Sequence, residues 1–160
     1  MARLSALVGL GLLTHSFALV SQDGHTGRLP AMGWNSWNEY ACAINETVFL
    51  EVGGLLHTLG LKELGYTYVN IDDCWSNKTH QRDNITGQII PDSVKFPNGI
   101  KHTADEIHKL GLKLGIYSDA GDTTCGGYAG SLEHEALDAE TFADWGIDCE
   151  YDIDDNQTST

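Results

Sequence analysis

The chain has 160 residues, 41% hydrophobic and 20% charged, which excludes a disordered or collagen-like polypeptide and allows one domain with a real core. Nine Lys+Arg stand against 23 Asp+Glu, and the formal net charge of −14 leaves little with which to build a basic surface for nucleic acid or an anionic membrane. Eighteen Gly and three Pro predict tight turns rather than a Pro-rich linker, and the seven His are too scattered for a metal cluster.

In chain order, Arg3 supplies a positive start, and Leu4 to Val20 is mostly apolar and free of acidic residues, with Thr14, His15 and Ser16 as its longest interruption. That is the length of a secretory signal rather than a membrane span, so residues 1–21 read as a signal peptide cleaved after Ala18 or at Ser21. The alternative, a buried N-terminal helix, is weakened by Gly9, Gly11 and Thr14. No other stretch is long enough to cross a bilayer. Secretion places Cys42, Cys74, Cys125 and Cys149 in an oxidising compartment where disulfides are the default, and no Cys-x-x-Cys spacing suggests zinc. Asn45, Asn77, Asn84 and Asn156 each open an N-glycosylation sequon, which agrees with an extracellular protein.

From residue 22 to 149 a beat of strand then helix repeats. Met32 to Trp37 reads as a first strand. Asn45 is placed to cap a helix on which Val48, Phe49, Val52, Leu55, Leu56 and Leu59 recur at helical spacing, with Gly53-Gly54 as a local cost. Tyr66 to Asp72 is a buried strand with two acids at its exit. Residues 76–98 form a long excursion with turns at Asn84 to Gly87 and Pro97 to Gly99. A second helix starts near Ile100, presents Ala104, Ile107 and Leu110, and stops at Gly111. Leu112 to Tyr117 is a third strand, Ser118 to Gly130 a Gly-rich loop, and Leu132, Ala136, Ala139 and Ala143 mark a third helix ending near Gly146. A fourth strand begins at Ile147-Asp148-Cys149.

Three and a half strand–helix units imply parallel strands with crossover helices, in a doubly wound sheet or a barrel. The phosphate-binding glycine motifs of doubly wound folds are absent. Trp34 and Trp37, Asp72-Asp73, and Tyr117 with Asp119 collect at the strand exits, the face that carries the active site of an α/β barrel. Aromatic rings beside carboxylates suit a sugar, whose C–H faces stack on an indole and whose hydroxyls donate to charged acceptors. Adjacent Asp72 and Asp73 reach one ligand only if the strand ends at them. Pattern alone leaves Trp34 and Tyr117 equally readable as core aromatics. A calcium loop is disfavoured, because alternate-position carboxylates are missing around Asp72 and no Glu closes a 12-residue loop.

Five motifs then resemble one family in order. They are Leu29 to Asn38, Tyr68 to Trp75, Phe96 to Ile100, Gly111 to Asp119 and Thr141 to Asp148, and they are similar to the secreted, fungal-type α-galactosidases of glycoside hydrolase family 27. The resemblance implies the N-terminal half of a (β/α)8 TIM barrel, about three and a half βα units without closure of the barrel, where a complete barrel takes about 250 residues. It implies retaining hydrolysis of terminal α-linked galactose, galactosides as partners, and neither cofactor nor metal. By the same resemblance Trp34 is an apolar wall of the pocket, Asp72 and Asp73 accept from the sugar's 4- and 6-hydroxyls, and Tyr117 lines it. Cys42 pairs with Cys74, and Cys125 with a cysteine just after the nucleophile.

The similarity stops after Cys149. The family's nucleophile lies in a motif Leu-Lys-Tyr-Asp-Asn-Cys, where this chain reads Cys149-Glu150-Tyr151-Asp152-Ile153-Asp154-Asp155-Asn156. Without a gap Ile153 takes the nucleophile position; with one deletion Asp152 does, but Glu150 replaces the lysine and no cysteine follows. Residues 150–160 are therefore read as a divergent polar tail on a truncated, inactive chain that lacks the acid/base. α-N-Acetylgalactosaminidase activity and a non-catalytic secreted galactose binder are the alternatives.

Overall fold

The computed structural model describes residues 32–152, with side chains over 32–149. The assigned signal peptide, Asp154, Asp155 and the Asn156 sequon lie outside the described residues.

The elements are β1 (Gly33–Asn35), a short α1 (Trp37–Tyr40), α2 (Glu46–Thr58), a 3-10 turn (Lys62–Leu64), β2 (Tyr68–Ile71), α3 (Ile100–Lys109), β3 (Lys113–Ser118), α4 (Glu135–Asp144) and β4 (Cys149–Asp152). The strands form one sheet in the order β1-β2-β3-β4. All three pairings are parallel, with Trp34 opposite Val69, Val69 opposite Leu114, and Ser118 opposite Asp152. Each connection between strands carries a helix. Among the described residues β1 and β4 each have one neighbour, so the sheet is an open arc.

Parallel strands covered on both faces carry unbroken apolar runs. Val69 and Ile71 of β2 and Leu114 and Ile116 of β3 are fully buried. Phe49 of α2, Ile107 of α3 and Phe142 of α4 close the core from the helices. The expected Asn45 cap is present, its Oδ1 accepting from the Val48 amide at 3.2 Å.

Two helix faces differ from expectation. On α2, Phe49 and Leu56 are buried but Leu55 and Leu59 are 54% and 67% exposed. On α4 the buried residues are Asp138, Thr141 and Phe142, whereas Ala136, Ala139 and Ala143 face solvent, as does Leu132 ahead of the helix. The cause is Arg82 of the excursion. It donates to both carboxylate oxygens of Asp138 at 2.8 and 2.7 Å and to the carbonyls of Gly87 and Gly130, so the polar residue that periodicity assigns to solvent is drawn inward. The excursion itself is an irregular hairpin, pinned by antiparallel bridges Ser76–Pro91 and Arg82–Ile89.

The glycine pair in α2 has two different reasons. A Cβ at Gly53 would lie 2.6 Å from Ile107 Cδ1, so this glycine lets α2 and α3 approach closely, while a Cβ at Gly54 meets nothing within 4 Å. Helix propensity favours Ala equally at both. Gly54→Ala is therefore expected to stabilise by about 1 kcal/mol. Gly53→Ala is expected to fall below it by roughly 1–3 kcal/mol from overpacking, read from paired urea melts. Equal effects at the two positions would contradict the packing.

Candidate functional site

β2 ends at Ile71, and the chain turns immediately afterwards. The Asp72 amide donates to Ser36 Oγ at 3.0 Å and the Asp73 amide to Asp72 Oδ1 at 2.8 Å. Cys74 then adopts the left-handed region, with φ 73°. This break in the strand allows two adjacent carboxylates to share one pocket, as their use by a single ligand requires. Cys74 is bridged to Cys42, and Lys95 Nζ donates to the carbonyls of both cysteines, at 2.6 Å for Cys74 and 3.2 Å for Cys42. Burial pushes the Lys95 ammonium below its ordinary pKa, opposed by the negative charges of Asp92 and Asp73.

The pocket at the strand exits is lined by Trp37, Asp72, Asp73, Tyr117 and Cys125 and holds about 150 Å³. Complete small-ligand pockets hold about 300–1,000 Å³, so these residues supply part of an enclosure. Asp72 is half-buried and its Oδ2 accepts from Asn35 Nδ2 at 2.8 Å; Asp73 is only 2% exposed. The Tyr117 hydroxyl lies 3.8 Å from Cys125 Sγ. Burial first, and the Cys125 contact second, raise the Tyr117 phenol above its ordinary pKa, so it is a neutral hydroxyl across the physiological range.

The two tryptophans at the exit of β1 are placed differently. Trp34 is not among the pocket residues; its ring is half-buried edge-on to Tyr40 at 6.0 Å and to Phe49 at 5.9 Å. The indole that lines the pocket is Trp37, 41% exposed at the start of α1. β1 stops at Asn35, two residues before Trp37, rather than running on to it. The signal was Asn35 itself, whose Oδ1 accepts from the Trp37 amide at 2.8 Å in an Asx turn. Tyr117, equally readable as core, is 2% exposed yet lines the pocket. Cys125 was expected in a disulfide and not as a pocket residue. The backbone of Asp152 closes β4 in register with Ser118, at the same edge of the sheet.

Among the described residues no group of three or more His, Cys, Asp or Glu is arranged to hold a metal ion. No helix there is long and apolar enough to cross a membrane.

The parallel strand–helix arc thus gathers aromatic rings and paired carboxylates at its strand exits. Residues 29–157 match the alpha galactosidase A family model, and the chain belongs to that family. It is 60% identical over 131 residues to a probable alpha-galactosidase B of Talaromyces emersonii, covering 82% of this chain and 28% of the relative. It is 56% identical over 143 residues to that of Penicillium simplicissimum, covering 89% and 32%. Among solved structures, alpha-galactosidase I of Mortierella vinacea matches with TM-score 0.76 and 46% identity over 82% of this chain and 33% of that one. The Saccharomyces cerevisiae α-galactosidase solved with raffinose matches with TM-score 0.78 and 40% identity, over 86% and 30%. The chain thus spans about three-tenths of the length of the curated relatives it matches.

Proposed function

We propose that this pocket recognises a terminal α-linked D-galactosyl group, and that the lineage chemistry is retaining hydrolysis of that linkage. The observation that carries the reading is the convergence of Trp37, Asp72, Asp73 and Tyr117 on one pocket, in a chain of the alpha galactosidase A family. The exposed Trp37 face suits the sugar's C–H groups, and the two carboxylates suit hydroxyls on one side of the ring. The yeast relative's raffinose supports an oligosaccharide galactoside as the substrate class.

Retention needs two carboxyl groups about 5–5.5 Å apart, a nucleophile and an acid/base. Asp72 and Asp73 are committed to the sugar and to the chain's own amides. Asp152 at the end of β4 is the candidate nucleophile, flanked by Glu150 and Tyr151 where the family motif carries its Lys and Tyr. The 160-residue polypeptide is accordingly expected to bind galactose without turning over an aryl α-galactoside. Hydrolysis by purified protein, abolished in Asp152→Asn, would overturn the inactivity and make Asp152 the nucleophile.

Secretion belongs to the same proposal. The Cys42–Cys74 bridge agrees with an oxidising compartment. Asn45 and Asn84 are exposed and Asn77 half-buried; capping at Asn45 and the Asn77 turn use Oδ1, leaving Nδ2 open to a glycan. Non-reducing peptide mapping of secreted material is expected to recover Cys42 joined to Cys74 and glycan at Asn84, and free thiols at both cysteines would contradict it.

A further inference from the structure

The Asp73 carboxylate is held by donors from two directions. The Cys74 amide donates to Oδ1 at 2.6 Å, and across the sheet face Thr124 Oγ donates to Oδ1 at 2.8 Å and the Gly126 amide to Oδ2 at 2.6 Å. Thr124 is 6% exposed, and its hydroxyl has one possible sense. It accepts from the Tyr128 amide at 3.1 Å, and an ionised carboxylate only accepts, so its single proton points to Asp73. The backbone repeats the tie, with the Thr124 amide donating to the Tyr128 carbonyl at 3.0 Å and Gly127 to the Thr124 carbonyl at 2.8 Å. Lys78 Nζ fastens the turn's outer side through the Gly126 carbonyl at 2.6 Å. There is no slack at the contact, since a Cβ on Gly126 would stand 2.7 Å from Asp73 Oδ2.

We infer that Thr124 is a positioning residue. Its hydroxyl couples the aim of Asp73 to the turn 124–128, and so makes the pocket carboxylate and the Cys125 wall one unit. Two carboxylate oxygens offer about four acceptor sites. Among the described residues three chain donors occupy the Asp73 oxygens, which leaves about one acceptor site for a ligand. Asp73 therefore reads one hydroxyl in one direction, and that direction is fixed by Thr124. The galactose arm of the test rests on the function proposed above; the exchange arm does not.

The experiment compares the parent chain with Thr124→Val, Thr124→Ser, Asp73→Ala and the Asp73→Ala/Thr124→Val double variant. Galactose affinity is read by calorimetry, and amide exchange at Cys74 and Gly126 by NMR. Val keeps the shape and removes the hydroxyl. It is expected to weaken galactose about tenfold, with Ser within about twofold of the parent. In the Asp73→Ala background Val should add less than about twofold, because Thr124 acts through Asp73. Exchange at Cys74 and Gly126 should quicken in Val and return in Ser. Full additivity of Val with Asp73→Ala, or an unchanged affinity in Val, would overturn the inference. If the parent binds no galactose, the functional reading falls, and exchange decides: unchanged Cys74 and Gly126 protection in Val overturns the positioning role, whereas quickened exchange restored by Ser supports it.

Discussion

Replacing Asp138 with alanine is expected to lower the unfolding free energy by about 3–5 kcal/mol. The Asp138 side chain is 1% exposed and the Arg82 side chain 17%, so the substitution leaves a guanidinium largely shielded from water with its bidentate partner gone. The carbonyls of Gly87 and Gly130 stay on Arg82, but neither carries a full charge. The loss arises from an uncompensated charge rather than from the worth of the pair. An Arg82→Met/Asp138→Leu double variant should therefore recover most of it. Urea unfolding followed by two probes checks both. A fall of less than about 1 kcal/mol in Asp138→Ala would mean that water reaches the guanidinium, and that the excursion is not clasped to α4 as described.

The second large effect concerns the bridge behind the site. Cys42 and Cys74 are 32 residues apart, and closing a loop of that size removes chain entropy worth about 3–4 kcal/mol from the unfolded state. Cys42→Ser/Cys74→Ser is expected to be less stable by about that amount. Reductant should lower the melting temperature of the parent toward that of the variant and leave the variant unmoved. Because Cys74 follows Asp73 directly, galactose affinity should fall in the same variant even below its melting range. Equal stability of parent and variant would contradict the account.

Much of the fold was legible in local pattern. Asn45 announced its cap, the β-branched and aromatic run around Val69 announced a buried strand, and Gly111 closed α3 with φ 69°. What local pattern missed was set by contacts distant in sequence. Periodicity counts Asp138 as a solvent residue, and only Arg82, 56 positions earlier, makes it core. Leu55 and Leu59 satisfy the helical spacing on α2, yet they remain 54% and 67% exposed. The Gly53 penalty becomes a requirement once Ile107 is seen above it.

The site was legible in kind, with one displacement. Asp72 and Asp73 reach the pocket because β2 ends at Ile71, just before them, and Tyr117 reaches it from the end of β3. Trp34 and Trp37 are both aromatic and three positions apart, and which one faces the ligand depends on a two-residue difference in where β1 stops. Thr124 carried no signal, since a threonine in a Gly-rich loop acquires its role only when the loop folds back onto β2.

The most direct measurement of the central claim is calorimetric titration of the chain with galactose and with glucose, which differ at the 4-hydroxyl, repeated on Trp37→Ala and Trp34→Ala. Galactose recognition by Trp37, Asp72 and Asp73 predicts at least about tenfold preference for galactose, since a site built to hydrogen-bond one hydroxyl discriminates against its misplacement. It also predicts loss of binding in Trp37→Ala, and in Trp34→Ala a loss of stability from its contacts with Tyr40 and Phe49. Equal affinity for the two sugars, or galactose binding that survives Trp37→Ala unchanged, would contradict it.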